Sequence, residues 1–212
     1  MGKVKIDNYT AKEAMKLVLE YMQLESVQTI EMITPEILKC YQKGSETAGV
    51  EWDEDAFNLT FASSRSVLEA VGVTDDRLLK EADSHLFMKM LVQFLHKNCV
   101  KVFLLAESGD VLEEMKGYIA KYSSGVRIVE TATMEEHGIS DDMILNRING
   151  VEADCILAAL PSPKQQDFVI RNRLSMNARI WVGLGTRFID TGSKKTVITR
   201  VKEFFRRHFT KM

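Results

Sequence analysis

The sequence predicts an α/β fold: a Rossmann-like, doubly wound, mostly parallel sheet in the C-terminal half, with a smaller α/β portion ahead of it. Three observations carry this expectation. Apolar runs of strand length recur at 100–106, 155–160 and 179–182, and such runs suit strands buried on both faces. Segments with helical periodicity lie between them. Strand and helix alternate regularly, which calls for crossover connections and helices on both faces of the sheet.

The elements follow in order. Thr10 with Glu13 three residues on reads as a capping box. Ala14, Leu17, Val18, Tyr21 and Met22 then share one helical face. Residues 29–33 read as a short strand ending at Thr34 and Pro35, and a helix over 35–43 turns Ile37, Leu38 and Tyr41 to its apolar side. Alternation over 57–61 predicts a strand, and 64–71 a short helix stopped by Gly72. A long amphipathic helix over 84–97 feeds the strand at 100–106. A helix over 110–122, a strand at 126–129, a helix over 141–149, the strand at 155–160, a helix over 163–174 and the strand at 179–182 complete the alternation. The tail at 200–212 sets Val201, Phe204, Phe205 and Phe209 against Lys202, Arg206, Arg207 and Lys211. It reads as a basic amphipathic helix docked on the core or on a partner, or else lying in a membrane interface.

Length and composition set the bounds. The 212 residues suit one domain spanning 1–212. A formal net charge of -2 predicts no broad nucleic-acid footprint. Residues 1–7 are polar with no apolar stretch behind them, and no run approaches the roughly 18 apolar residues of a membrane span. The expected setting is the cytoplasm, with the tail as the element that would bring the chain to the inner face of the cell membrane. Cys40, Cys99 and Cys155 are odd in number and far apart. They read as buried or half-buried free thiols rather than a disulfide framework. The histidines His85, His96, His137 and His208 lack ligand spacing, so neither a metal site nor a cofactor is expected.

In open α/β sheets ligands gather beyond the carboxyl ends of the strands, and that rule selects four loops. The first is Pro161-Ser162-Pro163-Lys164-Gln165-Gln166. Ser162 suits an N-cap and Pro163 the first helical position. Free amides and Lys164 would attract an anion, and the carboxamides of Gln165 and Gln166 could read a base or a sugar. The alternative is a well-capped helix with two exposed glutamines. The second loop, Gly183-Leu184-Gly185, allows close backbone approach to a ligand. Asp190, a few residues on, is a candidate acid or a turn residue. The third, with Glu107, Ser108, Gly109 and Asp110, would repel a phosphate and reads as a helix cap. The fourth, Ala62-Ser63-Ser64-Arg65, contains no carboxylate. Asp53, Glu54 and Asp55 precede its strand and read as a solvated turn.

At these residues the chain resembles the bacterial WecB/TagA/CpsF (WecG-type) glycosyltransferases. The resemblance rests on Ile6-Asp7-Asn8-Tyr9-Thr10, on Val102 to Leu105, and above all on Ile148-Asn149-Gly150, Ala153-Asp154, Leu157 through Gln165, Phe168-Val169, Asn172 and Asn177-Ala178. Gly183, Gly185 and Phe188 continue it. The resemblance implies transfer of N-acetylmannosamine or a similar sugar from a UDP-sugar to a polyprenyl-diphosphate-linked acceptor in cell-envelope polymer synthesis. It implies substrate contacts from Thr34, Lys164, Gln165, Gln166, Gly183 and Gly185. The sequence also departs from the family pattern. Thr34-Pro35 is followed by Glu36 rather than asparagine. Ala62 stands where the family's catalytic aspartate is expected, and Glu81 where an arginine is. Ala106-Glu107 replaces a glycine pair, and Asp190 lies one place late. Three readings therefore stand: a transferase with a rearranged site, its base supplied by Asp190 or an acid near Asp53; a non-catalytic relative that binds a protein partner, a nucleotide sugar or its own copy; and, last, a general nucleotide or metabolite enzyme on an α/β fold.

Overall fold

A computed structural model describes residues 5–43 and 56–186. Asp53, Glu54, Asp55, Phe188, Asp190, His208 and the tail at 200–212 lie outside the described residues. The order of elements is α1 (Ala11–Tyr21), β1 (Gln28–Ile33), α2 (Pro35–Lys43), β2 (Leu59–Ala62), α3 (Arg65–Ala70), α4 (Asp76–Asp83), α5 (Leu86–Lys97), β3 (Val102–Ala106), α6 (Gly109–Tyr122), β4 (Ile128–Thr133), α7 (Asp141–Gly150), β5 (Cys155–Ala159), α8 (Lys164–Asn172), a 3-10 turn (Arg173–Ser175) and β6 (Ile180–Gly183).

The six strands form one sheet in the order β2-β1-β6-β5-β3-β4, and every pairing is parallel. The doubly wound class is borne out, and the N-terminal strands extend the same sheet: β6 pairs with β1 on one side and β5 on the other. Alternate residues of each strand enter different packing layers, as the twofold side-chain period requires. Ile30, Met32, Leu104, Leu157 and Val182 pack with α1, α5 and α6. Phe103, Leu105, Ile156, Ala158 and Trp181 pack with α7 and α8. Ile33 and Ala62 join α2, α3 and α4 in a third cluster beside β1 and β2. All residues of β3 and β5 are buried, which explains their unbroken apolar character.

Several boundaries differ from expectation, each for a local reason. The segment ahead of the long helix forms a helix of its own, α4, because Asp75 caps it by accepting from the amides of Arg77 and Leu78. The chain then breaks at His85, whose φ is 49°, so α5 starts at Leu86. The strand expected at 126–129 lies further on, at Ile128–Thr133. As an edge strand it is only partly covered, and it carries Glu130, held by the Arg147 guanidinium at 2.6 Å. Cys155 is buried and Cys40 half-buried as expected, but Cys99 is exposed, at the turn after α5. No helix among the described residues is long and apolar enough to cross a membrane.

The capping box of α1 is fully formed: the Thr10 amide donates to Glu13 Oε2 at 2.9 Å and the Glu13 amide to Thr10 Oγ1 at 3.3 Å. Hydrogen bonding from Thr10 holds the Glu13 carboxyl below its ordinary range. Thr10→Ala is expected to lower stability by about 1 kcal/mol, read as a lower urea midpoint at unchanged slope.

Candidate functional site

The connection from β3 runs to α6 on one face of the sheet and that from β5 to α8 on the other. Neighbouring strands whose connections part in this way leave a crevice at their carboxyl ends. The ends of β1 and β6 continue this rim, and there the structure brings together Thr34, Gln165, Gly183 and Gly185.

The centre of the arrangement is a residue no sequence motif singled out. Glu31 lies within β1, 0 % exposed, in register with Gly183 of β6. The side-chain amides of Gln165 and Gln166 both donate to its Oε1, at 2.7 and 2.6 Å. Gln165 Oε1 accepts from the backbone amides of Leu160 at 3.2 Å and Gly185 at 3.1 Å. Ser162 Oγ donates to Gln166 Oε1 at 3.0 Å. One carboxyl thus joins β1, the start of α8 and the ends of β5 and β6.

Both glutamines are 0 % exposed, which overturns the alternative of a helix start carrying two exposed glutamines. Ser162 is not the cap either. Pro163 occupies that position without a side-chain bond, and the Ser162–Pro163 peptide is cis. Lys164 is exposed at the first position of α8. Thr34 is buried, and its Oγ1 accepts from the Ile37 amide at 3.2 Å, which caps α2. Gly185 has φ 71°, a conformation suited to glycine, and a Cβ on it would meet Thr34 Cγ2 at 3.2 Å. A Cβ on Gly183 would lie 2.2 Å from Glu31 Oε2. A side chain there would have to displace the buried acid and Gln165.

Glu31 Oε2 has no hydrogen-bond partner among the described residues, and neither has the Trp181 indole Nε1 on the adjacent strand. Burial pushes the Glu31 carboxyl up to about 8, against hydrogen bonds from Gln165 and Gln166 that act in the opposite direction. The group is therefore neutral at pH 7. A lone acid inside the apolar run at 29–33 was the available signal.

Two small pockets flank this centre. One, beside β2, is lined by Asp7, Asn8, Tyr9, Ala62 and Glu81 among others. Positions 62 and 81, where the sequence predicts departures from the pattern of the resembled family, thus meet in space. The acids there are engaged. Glu81 Oε2 accepts from the Ala11 amide at 2.6 Å and its Oε1 from Arg77 Nε at 3.1 Å, while Asp7 Oδ2 accepts from the Thr60 amide at 2.9 Å. The other pocket is lined by Met32, Ser63, His85, Met88, Tyr118 and Leu184. Beyond β3, Ser108 caps α6 by accepting from the Val111 amide at 3.3 Å, so that loop has the capping role expected of it. Among the described residues no three His, Cys, Asp or Glu side chains gather as a metal site.

The raised acid makes stability depend on pH. The folded carboxyl titrates at about 8 and the free one near 4.5, so between these values only the folded state holds the proton. Stability should fall as pH rises through that window, by at most about 1.4 kcal/mol per pH unit, and level off above it. Glu31→Gln removes the titrating group, and denaturant midpoints from pH 5 to 8 should lose this decline. A decline that survives the substitution would assign the proton to another group.

A family profile, described as the glycosyl transferase WecG/TagA/CpsF family, matches residues 1–203. The chain is also similar to an N-acetylglucosaminyldiphosphoundecaprenol N-acetyl-beta-D-mannosaminyltransferase of Staphylococcus aureus (strain MRSA252), with 25 % identity over 112 residues. That match covers 51 % of this chain and 42 % of the relative, so less than half of the relative's length is represented. With the profile spanning nearly the whole sequence, over a sheet whose strand ends converge on Thr34, Gln165 and the glycines of β6, the chain belongs to the WecG/TagA/CpsF family of glycosyl transferases.

Proposed function

We propose that this protein is a glycosyltransferase of cell-envelope polymer synthesis, moving N-acetylmannosamine or a similar sugar from a uridine-diphosphate donor to a polyprenyl-diphosphate-linked acceptor. The observation that carries the reading is the family match over residues 1–203. The name of the Staphylococcus relative supports the choice of sugar and of a lipid-linked acceptor. In this reading the chain works in the cytoplasm against the inner membrane face, where such an acceptor presents its diphosphate.

The reaction joins an acceptor hydroxyl oxygen to the anomeric carbon of the sugar and breaks the bond from that carbon to the donor diphosphate. The hydroxyl proton must go to a base, and the departing diphosphate needs compensating charge. The rim of β1, β5 and β6 is the proposed donor site. Gly183 and Gly185 shape this rim by making room for Glu31 and Thr34 behind it, and Lys164 provides positive charge at the exposed start of α8. Thr34 shapes the same rim through the start of α2. Gln165 and Gln166 act from within, because their carboxamides are held on Glu31. Asp190 is the candidate base.

A second reading, a non-catalytic relative that binds the donor or a protein partner, is favoured by one observation. Ala62 has no carboxylate, and Asp7 and Glu81, the acids of its pocket, are held by Thr60, Ala11 and Arg77.

Purified protein incubated with UDP-N-acetylmannosamine and a short-chain polyprenyl-diphosphate-linked N-acetylglucosamine should release UDP. Asp190→Ala should reduce that release at least about a hundredfold, the lower end for a lost general base. Lys164→Ala should weaken UDP binding by calorimetry about threefold, as expected for one exposed charge contact. Saturable UDP binding without transfer would select the second reading. Absence of both binding and transfer would remove the first.

A further inference from the structure

Glu31 belongs to none of the motifs that carry the family resemblance, yet its carboxyl is where three rim segments meet. We infer that Glu31 is a positioning residue for the crevice: it sets which way the Gln165 and Gln166 carboxamides face and, through Gln165, fixes the backbone ends of β5 and β6. The inference rests on the donor-site reading above insofar as those strand ends are taken to bind the donor.

The argument is one of hydrogen-bond polarity. The two ends of a carboxamide are nearly equal in shape, so its direction is chosen by its partners. Gln165 has an acceptor, Glu31 Oε1, at one end and two backbone donors, the amides of Leu160 and Gly185, at the other. Turning it over would set nitrogen against two backbone N–H groups, so the amides of Leu160 and Gly185 and the Glu31 acceptor agree on one direction. Gln166 lies between Glu31 Oε1 and the Ser162 hydroxyl, which can donate or accept, so the acceptor on Glu31 is what sets its direction. Without the acid, the inward partner of both carboxamides is lost together. Gln165 would then be free to leave the Leu160 and Gly185 amides, one at each strand end of the rim.

The position of the acid is itself built into the sheet. Gly183 opposite leaves the space that Glu31 Oε2 fills, and the β1–β6 register places the two side by side. A second carboxamide at position 31 could still offer an oxygen to both glutamines, whereas a thioether of similar length could not. Glu31→Met and Glu31→Gln therefore separate the acceptor role from simple space filling.

The test is residue-resolved amide hydrogen exchange on the ligand-free full chain, with UDP calorimetry on the same samples. Glu31→Met should speed exchange at Leu160 and Gly185 at least about tenfold, as loss of a buried hydrogen bond predicts. The amides of Leu104 and Leu157 in the sheet centre should change little. UDP binding should weaken about fivefold or more at unchanged stoichiometry, because a merely structural residue would lower the folded fraction and not the affinity of what remains folded. Glu31→Gln should restore both readouts. Glu31→Leu serves as the second variant if the methionine form does not fold. Unchanged exchange at Leu160 and Gly185, or equal acceleration throughout the sheet, would overturn the inference. If the unsubstituted protein does not bind UDP, the donor reading fails and hydrogen exchange alone decides the positioning role. If UDP binds and Glu31→Met alters neither readout, the positioning role falls and the donor reading stands.

Discussion

A carboxyl group in the middle of a parallel sheet has to be reconciled with the loss of water around it. An isolated buried carboxylate is so unfavourable that the group keeps its proton instead, and Glu31 does so at neutral pH. The remaining cost is met by hydrogen bonds to one oxygen from two carboxamides. Much of the local architecture follows. Gln165 and Gln166 point inward, a side chain at position 183 would displace the acid, and the first turn of α8 is drawn over the β1–β6 pair. The loops that a ligand would meet are consequently anchored to the interior of the sheet.

The second constraint comes from the sheet itself. With β3 and β5 fully covered, polar chemistry is confined to the ends of the strands. There the long sequence separations collapse: Ala62 and Glu81 line one pocket with Asp7, and Thr34 packs against Gly185. The acid at position 81 has a structural task. It ties α4 to the first amide of α1 and holds Arg77. Asp7 likewise closes the edge of β2 through Thr60. These contacts leave the acids near Ala62 engaged in holding the fold at that strand end.

The sequence made the central strands legible because β3, β5 and β6 are apolar on both faces, a pattern that survives without context. The capping box of α1 was legible because it is wholly local. α4 was not, since Leu78, Leu79 and Ala82 form a short apolar stripe that runs on toward the stronger one of α5. β4 was misplaced because an edge strand tolerates Glu130 and Thr131 and so resembles a loop. The site was half legible. The glycines and the Lys164-Gln165-Gln166 segment marked the rim where Glu31 and its partners gather, but the direction of the glutamines could not be read, because it is set by a residue 134 positions away from Gln165. The only trace of that partner was a single acid inside an apolar strand.

The proton on Glu31 also bears on what the crevice can accept. For a diphosphate ligand of the proposed kind, an ionised carboxylate within about 10 Å would cost roughly 1.7 kcal/mol per ligand charge at an effective dielectric near 20. The neutral acid avoids that repulsion while keeping the acceptor that the glutamines need. Replacing it with a permanently neutral carboxamide would preserve both properties, but would set two N–H donors in place of one O–H at the atom that now lacks a partner. In the neutral acid that oxygen can carry the hydroxyl proton, which leaves Oε1 as the carbonyl acceptor for both carboxamides. A buried acid that holds its proton is thus compatible with an anion-binding rim, whereas the same acid ionised would oppose it. The neighbouring segments secure the protonated state by excluding water on every side of the group.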